Sequence, residues 1–497
     1  MNAYPELEQR FRRMLMLQSV EEVLDWDSSA MMPSGAAASR ADQMALLRVL
    51  RHELMCAPEL VDSLGEAEAQ SDALDPWQQA NLREMRHQWI HSASVPRELV
   101  DAMSRATSAC EDRWREARGE SDFDGMAPLL ARVVELVRQV GEARAELLEC
   151  TPYEALVDEH QPQLRLAEID PLFDELATFL PGFLERVLES QAAAGEPLEL
   201  TGPFAIEAQR ALGMRLMQIV GFELDHGRLD VSAHPFCGGT PDDVRITTRY
   251  DEAHFTGSLM GVLHETGHAL YQRGLPEAWR YQPVGEPRGI TFHESQSLLI
   301  EMQACRSRPF LELAAPLIRE AFSCDGPAWT ADNLYRCYTR VKPGFIRVEA
   351  DEVTYPAHVI LRYRLEKALI GGELEVSDLP DAWQDGMKQL LGLTPPDHAR
   401  GCLQDIHWFF GIFGYFPSYT MGAITAAQLY RSAVAQNPTI PSGIASGDFG
   451  PLVGWLRDKI HHAGCRWSPT ELLERATGGP LDIAHYKAHL HERYLPG

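Results

Sequence analysis

The chain has 497 residues, 45% of them hydrophobic, and a formal net charge of −27. That length supports a large core and by itself suggests two or three domains. The acidity argues against nucleic acid or an anionic membrane surface as a partner, and for a self-repelling protein of the cytoplasm.

The opening MNAYPELEQRFRRMLML places two glutamates and three arginines where a signal peptide needs an apolar run. The nine cysteines are scattered and form no CxxC pair, so neither a disulfide framework nor a cysteine-built metal site is expected. Asp75 and Pro76 read as the N-cap and first residue of a helix. Residues 126–149 carry apolar side chains at three-and-four spacing. Thr151 with Glu154, and later Ser468 with Glu471, read as capping boxes. The best strand candidate is DVRITTRY at 243–250, where Val244, Ile246 and Thr248 alternate with Arg245, Thr247 and Arg249. The aromatic run FFGIFGYF at 409–416 is too short to span a bilayer. No repeat, low-complexity tract or composition shift divides the chain, which reads as mostly helical with one small sheet.

That sheet precedes HETGH at 264–268. Leu259, Val262, Leu263, Ala269 and Leu270 supply a helical apolar face around it, and Gly274 and Pro276 end the helix. Positions four apart share a helix face about 6 Å apart along the axis, so His264 and His268 can reach one zinc ion. Glu265 then projects beside the metal, the place for a general base acting on water. A chance HExxH is expected only roughly 0.05 times in such a chain. A third protein ligand is needed. Tyr271 and Gly274 stand where the metzincin pattern needs Gly and His, which excludes that class. Glu294 and Glu301 lie on a following helix-like segment, Glu294 being 26 residues after His268. Glu277 and Glu286 sit in a Pro-containing connection and are poorer candidates. Glu294 taken alone reads equally well as a solvated helix residue.

Five further motifs follow one order: His234-Pro235-Phe236, DVRIT from Asp243 to Thr247, HESQ from His293 to Gln296, IRVEAD from Ile346 to Asp351, and GCLQDIHW from Gly401 to Trp408. With these and HETGH the chain resembles the carboxypeptidase Taq family of zinc metallocarboxypeptidases along nearly its whole length. The resemblance implies a mostly α, two-lobed helical metallopeptidase with a deep central cleft, similar to neurolysin and angiotensin-converting enzyme. It implies one peptidase domain over residues 1–497, a cytoplasmic homodimer, and Glu294 as the third zinc ligand. Cobalt is expected to substitute for zinc at such borderline ligands.

The implied substrates are peptides with a free C-terminus. Arg347 of IRVEAD is expected to bind their carboxylate, a planar fork meeting two oxygens. The alternative for Arg347 is a helical salt bridge to Asp351. His407, Tyr415 and Tyr419 are the candidates for a His or Tyr donor that stabilises the oxyanion, and which of them does so is left open, since a buried tyrosine is often only core. His234 and Arg245 are expected to line or brace the cleft, and Asp405 to orient His407 or cap a helix. Two other functions compete: an oligopeptidase that cuts short peptides internally, and a catalytically silent zinc-stabilised scaffold. The presence of Glu265 speaks against the scaffold, which has no use for a base.

Overall fold

The computed structural model describes residues 3–495, so the two residues at each end of the 1–497 range lie outside the described residues. Helices dominate, joined by one three-stranded sheet just ahead of HETGH, as the periodicity predicts. No helix among the described residues is long and apolar enough to cross a membrane.

The local signals act as read. Asp75 Oδ1 accepts the backbone N–H groups of Trp77 and Gln78 at the start of Pro76–Ala93. The reciprocal bonds of both capping boxes form, opening helices Pro152–His160 and Pro469–Thr477. Each such cap is worth about 1 kcal/mol. The apolar stretch at 126–149 lies in helix Phe123–Leu148, which buries Met126, Leu130, Val133, Val134 and Val137.

The chain forms two compact units, each assembled from three separated segments. The first holds Met1–Trp89, Pro197–Thr339 and Gly422–Tyr486; the second holds Ile90–Glu196, Arg340–Met421 and Lys487–Gly497.

In the first unit, strands β1 (Gly227–Val231), β2 (Phe236–Thr240) and β3 (Asp243–Thr248) lie in the order β1-β3-β2. β3 pairs in parallel with β1 and antiparallel with β2. Val244 and Ile246 pack against Val262 and Ala269 of the HETGH helix, Phe255–Gly274. The alternation fails at Thr247, read as a polar outward position. It is fully buried, because β3 is the central strand, and its hydroxyl accepts from Ser232 Oγ at 2.7 Å and Phe236 N at 3.1 Å. The other face of the HETGH helix joins the unit's largest core through Leu259, Leu263 and Leu270. Each large apolar side chain so buried contributes about 1.5–3 kcal/mol.

Helix Gly289–Leu298 follows, and its last turn runs into a π-helical turn, Leu299–Cys305. It presses on the HETGH helix at Gly267. A Cβ there would lie 2.6 Å from both Gln296 O and Ser297 Cα, so only glycine permits this approach.

The second unit centres on helix Tyr355–Gly371, which buries an almost unbroken run from Pro356 to Tyr363 and then Leu365 and Glu366. A helix buried on every side must satisfy its polar side chains internally. His358, Arg362 and Glu366 are each fully buried in it.

Candidate active site

The HETGH helix turns His264 and His268 to one side, and helix Gly289–Leu298 brings Glu294 to meet them. The ligating atoms of the three lie within 4.8 Å of one another. Glu294 Oε2 stands 3.8 Å from His264 Nε2 and 3.5 Å from His268 Nε2. The remaining ring nitrogens are occupied. His264 Nδ1 lies 2.9 Å from Glu301 Oε2, and His268 Nδ1 lies 3.0 Å from the backbone oxygen of His293. With Nδ1 so engaged, each ring turns Nε2 toward Glu294, the nitrogen that would serve a metal once it has lost its proton.

This set fits a transition-metal ion. Tetrahedral donors bonded at about 2.0–2.1 Å stand about 3.3 Å apart, close to the spacings here. The charges agree as well. Glu301 is balanced by Arg306, which leaves Glu265 and Glu294 beside two imidazoles. Burial opposes its charge, yet Glu294, Glu301 and Glu265 push the His264 imidazole up to about 10. Burial raises Glu294, but the histidines overcome it and hold the carboxyl down at about 2. The site is short of positive charge, as a place for a dication should be. Glu265 is buried, and that burial raises its carboxyl above the ordinary range. The His293 ring stacks on His268 at 4.3 Å and fixes its other face.

The second unit gathers another group of the predicted residues. Arg347 opens a 3₁₀ turn, Arg347–Glu349, and is 5% exposed. Its Nε and Nη2 donate to Asp405, Nη2 at 2.8 Å, and its Nη1 donates to Tyr355 OH at 2.7 Å. Arg362, fully buried, donates to the same Asp405 at 2.6 Å. Two guanidinium groups thus share one carboxylate and leave a positive surplus. The Tyr419 ring lies 5.2 Å from Arg347, Tyr415 lies 5.4 Å from Tyr419, and His407 lies 5.8 Å from Tyr415. Arg347, Tyr419, Tyr415 and His407 therefore form one continuous cluster. Burial, with Arg347 and Arg362 behind it, keeps His407 neutral, its pKa down at about 4.

Two alternatives drop out. Asp351 spends its carboxylate on the backbone N–H groups of Lys342, Val353 and Thr354, so it is not the partner of Arg347. Asp405 pairs with the two arginines instead of orienting His407. His234 is exposed ahead of β2, and Arg245 commits its guanidinium to Asp243 and to the Trp26 ring, 4.2 Å away. Reading the sequence missed Glu301 as the partner of His264, and the roles of His293, Tyr355 and Arg362. The one signal for Glu301 was its place two turns beyond Glu294.

A buried carboxylate next to a two-histidine, one-carboxylate donor set, on a helical scaffold, defines a metal-dependent hydrolase. The chain belongs to the carboxypeptidase Taq (M32) metallopeptidase family, whose sequence pattern matches residues 6–494. Thermostable carboxypeptidase 1 of Thermus thermophilus is 38% identical over 506 aligned residues, covering 99% of this chain and 98% of the relative. Among solved structures, metallocarboxypeptidase 1 of Trypanosoma cruzi is 41% identical, with a TM-score of 0.97 and 99% of each chain covered. The M32 carboxypeptidase of Deinococcus radiodurans is 35% identical, with a TM-score of 0.93 over 99% of each chain. The chain is thus a peptide hydrolase of a metallocarboxypeptidase family.

Proposed function

We propose that the protein is a zinc-dependent carboxypeptidase that removes C-terminal residues from peptides with broad specificity. The observation that carries this reading is the donor set of His264, His268 and Glu294, with Glu265 one residue along the helix from His264. Two nitrogens and one oxygen suit zinc, and cobalt can replace it. When bound, the ion supplies a Lewis acid that polarises the scissile carbonyl and acidifies water.

The remaining steps fall to side chains. Glu265 takes the proton of the attacking water and returns it to the leaving amine. His407, Tyr415 and Tyr419 donate hydrogen bonds to the oxyanion. Arg347 receives the substrate's terminal carboxylate, a role supported by the unbalanced positive charge it shares with Arg362 around Asp405. His234 and Arg245 brace the sheet beside the HETGH helix. We further infer, from the family resemblance, a cytoplasmic homodimer in which residues 1–497 act as one peptidase domain.

The test is an assay on unblocked and C-terminally amidated peptides, with and without a chelator, reading product masses alongside metal content. Stepwise loss of C-terminal residues, abolished by chelation and restored by zinc, is expected. Chelator-resistant activity overturns the zinc assignment. Internal cuts, or equal cleavage of amidated peptides, replace the carboxypeptidase by an oligopeptidase.

A further inference from the structure

Glu366 is fully buried within helix Tyr355–Gly371, and the chemistry above gives it no part. Its two oxygens accept three hydrogen bonds. Oε1 takes the indole N–H of Trp408 at 2.7 Å. Oε2 takes the Gly414 backbone N–H at 3.0 Å and the Tyr153 hydroxyl at 2.7 Å. Trp408 directly follows His407, and Gly414 directly precedes Tyr415. One carboxyl group thus holds both ends of the segment between these two residues.

The rest of the frame is closely packed. Gly414 has φ +77, and a Cβ there would lie 2.6 Å from backbone atoms of Leu156 and Val157. The segment is therefore pressed against helix Pro152–His160 at the point where Glu366 binds it. At the other end, the Trp408 ring is buried among Trp383, Phe413 and Phe416. A buried carboxyl is a costly way to fill space, because an apolar side chain does the same without desolvation. What the carboxyl adds is direction: two donors from distant points are fixed on one atom pair.

We propose that Glu366 is a positioning residue for His407 and Tyr415, holding them where the oxyanion forms. The inference rests on the reading of these two residues as oxyanion donors. Donors displaced by a fraction of an ångström lose contacts made only in the transition state, so the effect falls on kcat and not on KM. The third bond gives an internal control. Tyr153 binds the same carboxyl through its hydroxyl, whereas Trp408 and Gly414 are the groups of the 407–415 segment that the carboxyl binds directly.

The experiment measures kcat, KM and melting temperature on a peptide with a free C-terminus for Trp408→Phe, Glu366→Gln and Tyr153→Phe, with His407→Ala and Tyr415→Phe alongside. The expected result is a kcat lowered about tenfold in Trp408→Phe and more in Glu366→Gln, with KM within about twofold, while Tyr153→Phe keeps kcat within about twofold. If Glu366→Gln does not fold, Trp408→Phe against Tyr153→Phe decides. Wild-type kcat in a folded Trp408→Phe, with His407→Ala or Tyr415→Phe crippled, overturns the positioning role and leaves the donor reading standing. So does a Tyr153→Phe loss equal to that of Trp408→Phe. Wild-type kcat in both His407→Ala and Tyr415→Phe removes the donor reading, and the role of Glu366 with it.

Discussion

Nδ1 of His264 and the Glu301 carboxylate stand 2.9 Å apart, although 37 residues separate them in the chain. The bond orients the imidazole and leaves Nε2 facing Glu294, free to serve a metal once deprotonated. Glu301→Gln keeps an acceptor but removes the charge that makes the ring more basic. Metal affinity should fall roughly 10- to 100-fold, measured by competition with a chromophoric chelator. Unchanged affinity would mean that the carboxylate is there for Arg306 alone.

Glu265 directly follows His264 and is buried. Glu265→Gln keeps its size but accepts no proton, so turnover should drop by at least about a hundredfold with the metal retained. Metal content and kcat are measured on the same preparation. Near-normal turnover assigns the base to another residue.

What the sequence made legible was local. The HETGH helix, the caps at Asp75, Thr151 and Ser468, and strand β3 rest on periodicity and short-range hydrogen bonds, and these formed. Glu294 and Glu301 were harder to rank, because seven residues amount to two helical turns and both point one way. The π turn at Leu299–Cys305 sets Glu301 against His264 from behind, and no sequence pattern announces such a turn. The Arg347–Asp351 pairing assumed a helix. Pro343, Gly344 and Pro356 flank this stretch, which holds only a short 3₁₀ turn, so i,i+4 geometry never arises. The true partner, Asp405, lies 58 residues on, beyond any local pattern. Nor does composition reveal two units whose segments interleave, since no composition shift marks their boundaries in the chain.

Gly267 of HETGH carries no chemistry, yet its replacement should be severe. A Cβ would meet the backbone of Gln296 and Ser297, which cannot swing aside as a side chain can. Gly267→Ala must push Glu294 away from the histidines or strain the helix pair. We expect a loss of about 3 kcal/mol or more in unfolding free energy, and weaker metal binding even where the protein remains folded. Denaturant melts and chelator competition check both. A variant as stable and as metal-tight as the wild type contradicts the packing described here.

Stability should decline on the acid side partly through His358. Burial, then the charges of Arg362 and Arg347, hold its imidazole neutral, its pKa down at about 3, against the opposing pull of Asp405. The unfolded chain takes up a proton below about pH 6.5 and the folded chain does not until about pH 3, so stability is full above 6.5 and falls through that window. His407 and His461 act with the same sign. Asp405, held far below its ordinary value, begins to matter only under more acid conditions. His358→Gln stays neutral throughout, and should remove about 2 kcal/mol of the loss between pH 6.5 and 5. Urea melts at the two pH values measure it. An identical acid loss in the variant would place the linkage in other groups.

Arg347 offers the sharpest division between a carboxypeptidase and an internal peptidase. Asp405 is shared by Arg347 and Arg362, so removing Arg347 still leaves it a buried partner at 2.6 Å. Arg347→Ala should for that reason fold. A desolvated, bidentate guanidinium–carboxylate contact contributes about 2–4 kcal/mol, or roughly 30- to 1000-fold in kcat/KM. Peptides with a free C-terminus should lose that much in Arg347→Ala. Amidated peptides, already poor for the wild type, should change little, because the contact was never theirs. Arg347→Lys should recover only part of the loss, since a point charge lacks the planar fork. If both substrates fall alike in a variant with an unchanged melting curve, Arg347 shapes the cluster but does not read the terminus, and the carboxylate must be received elsewhere.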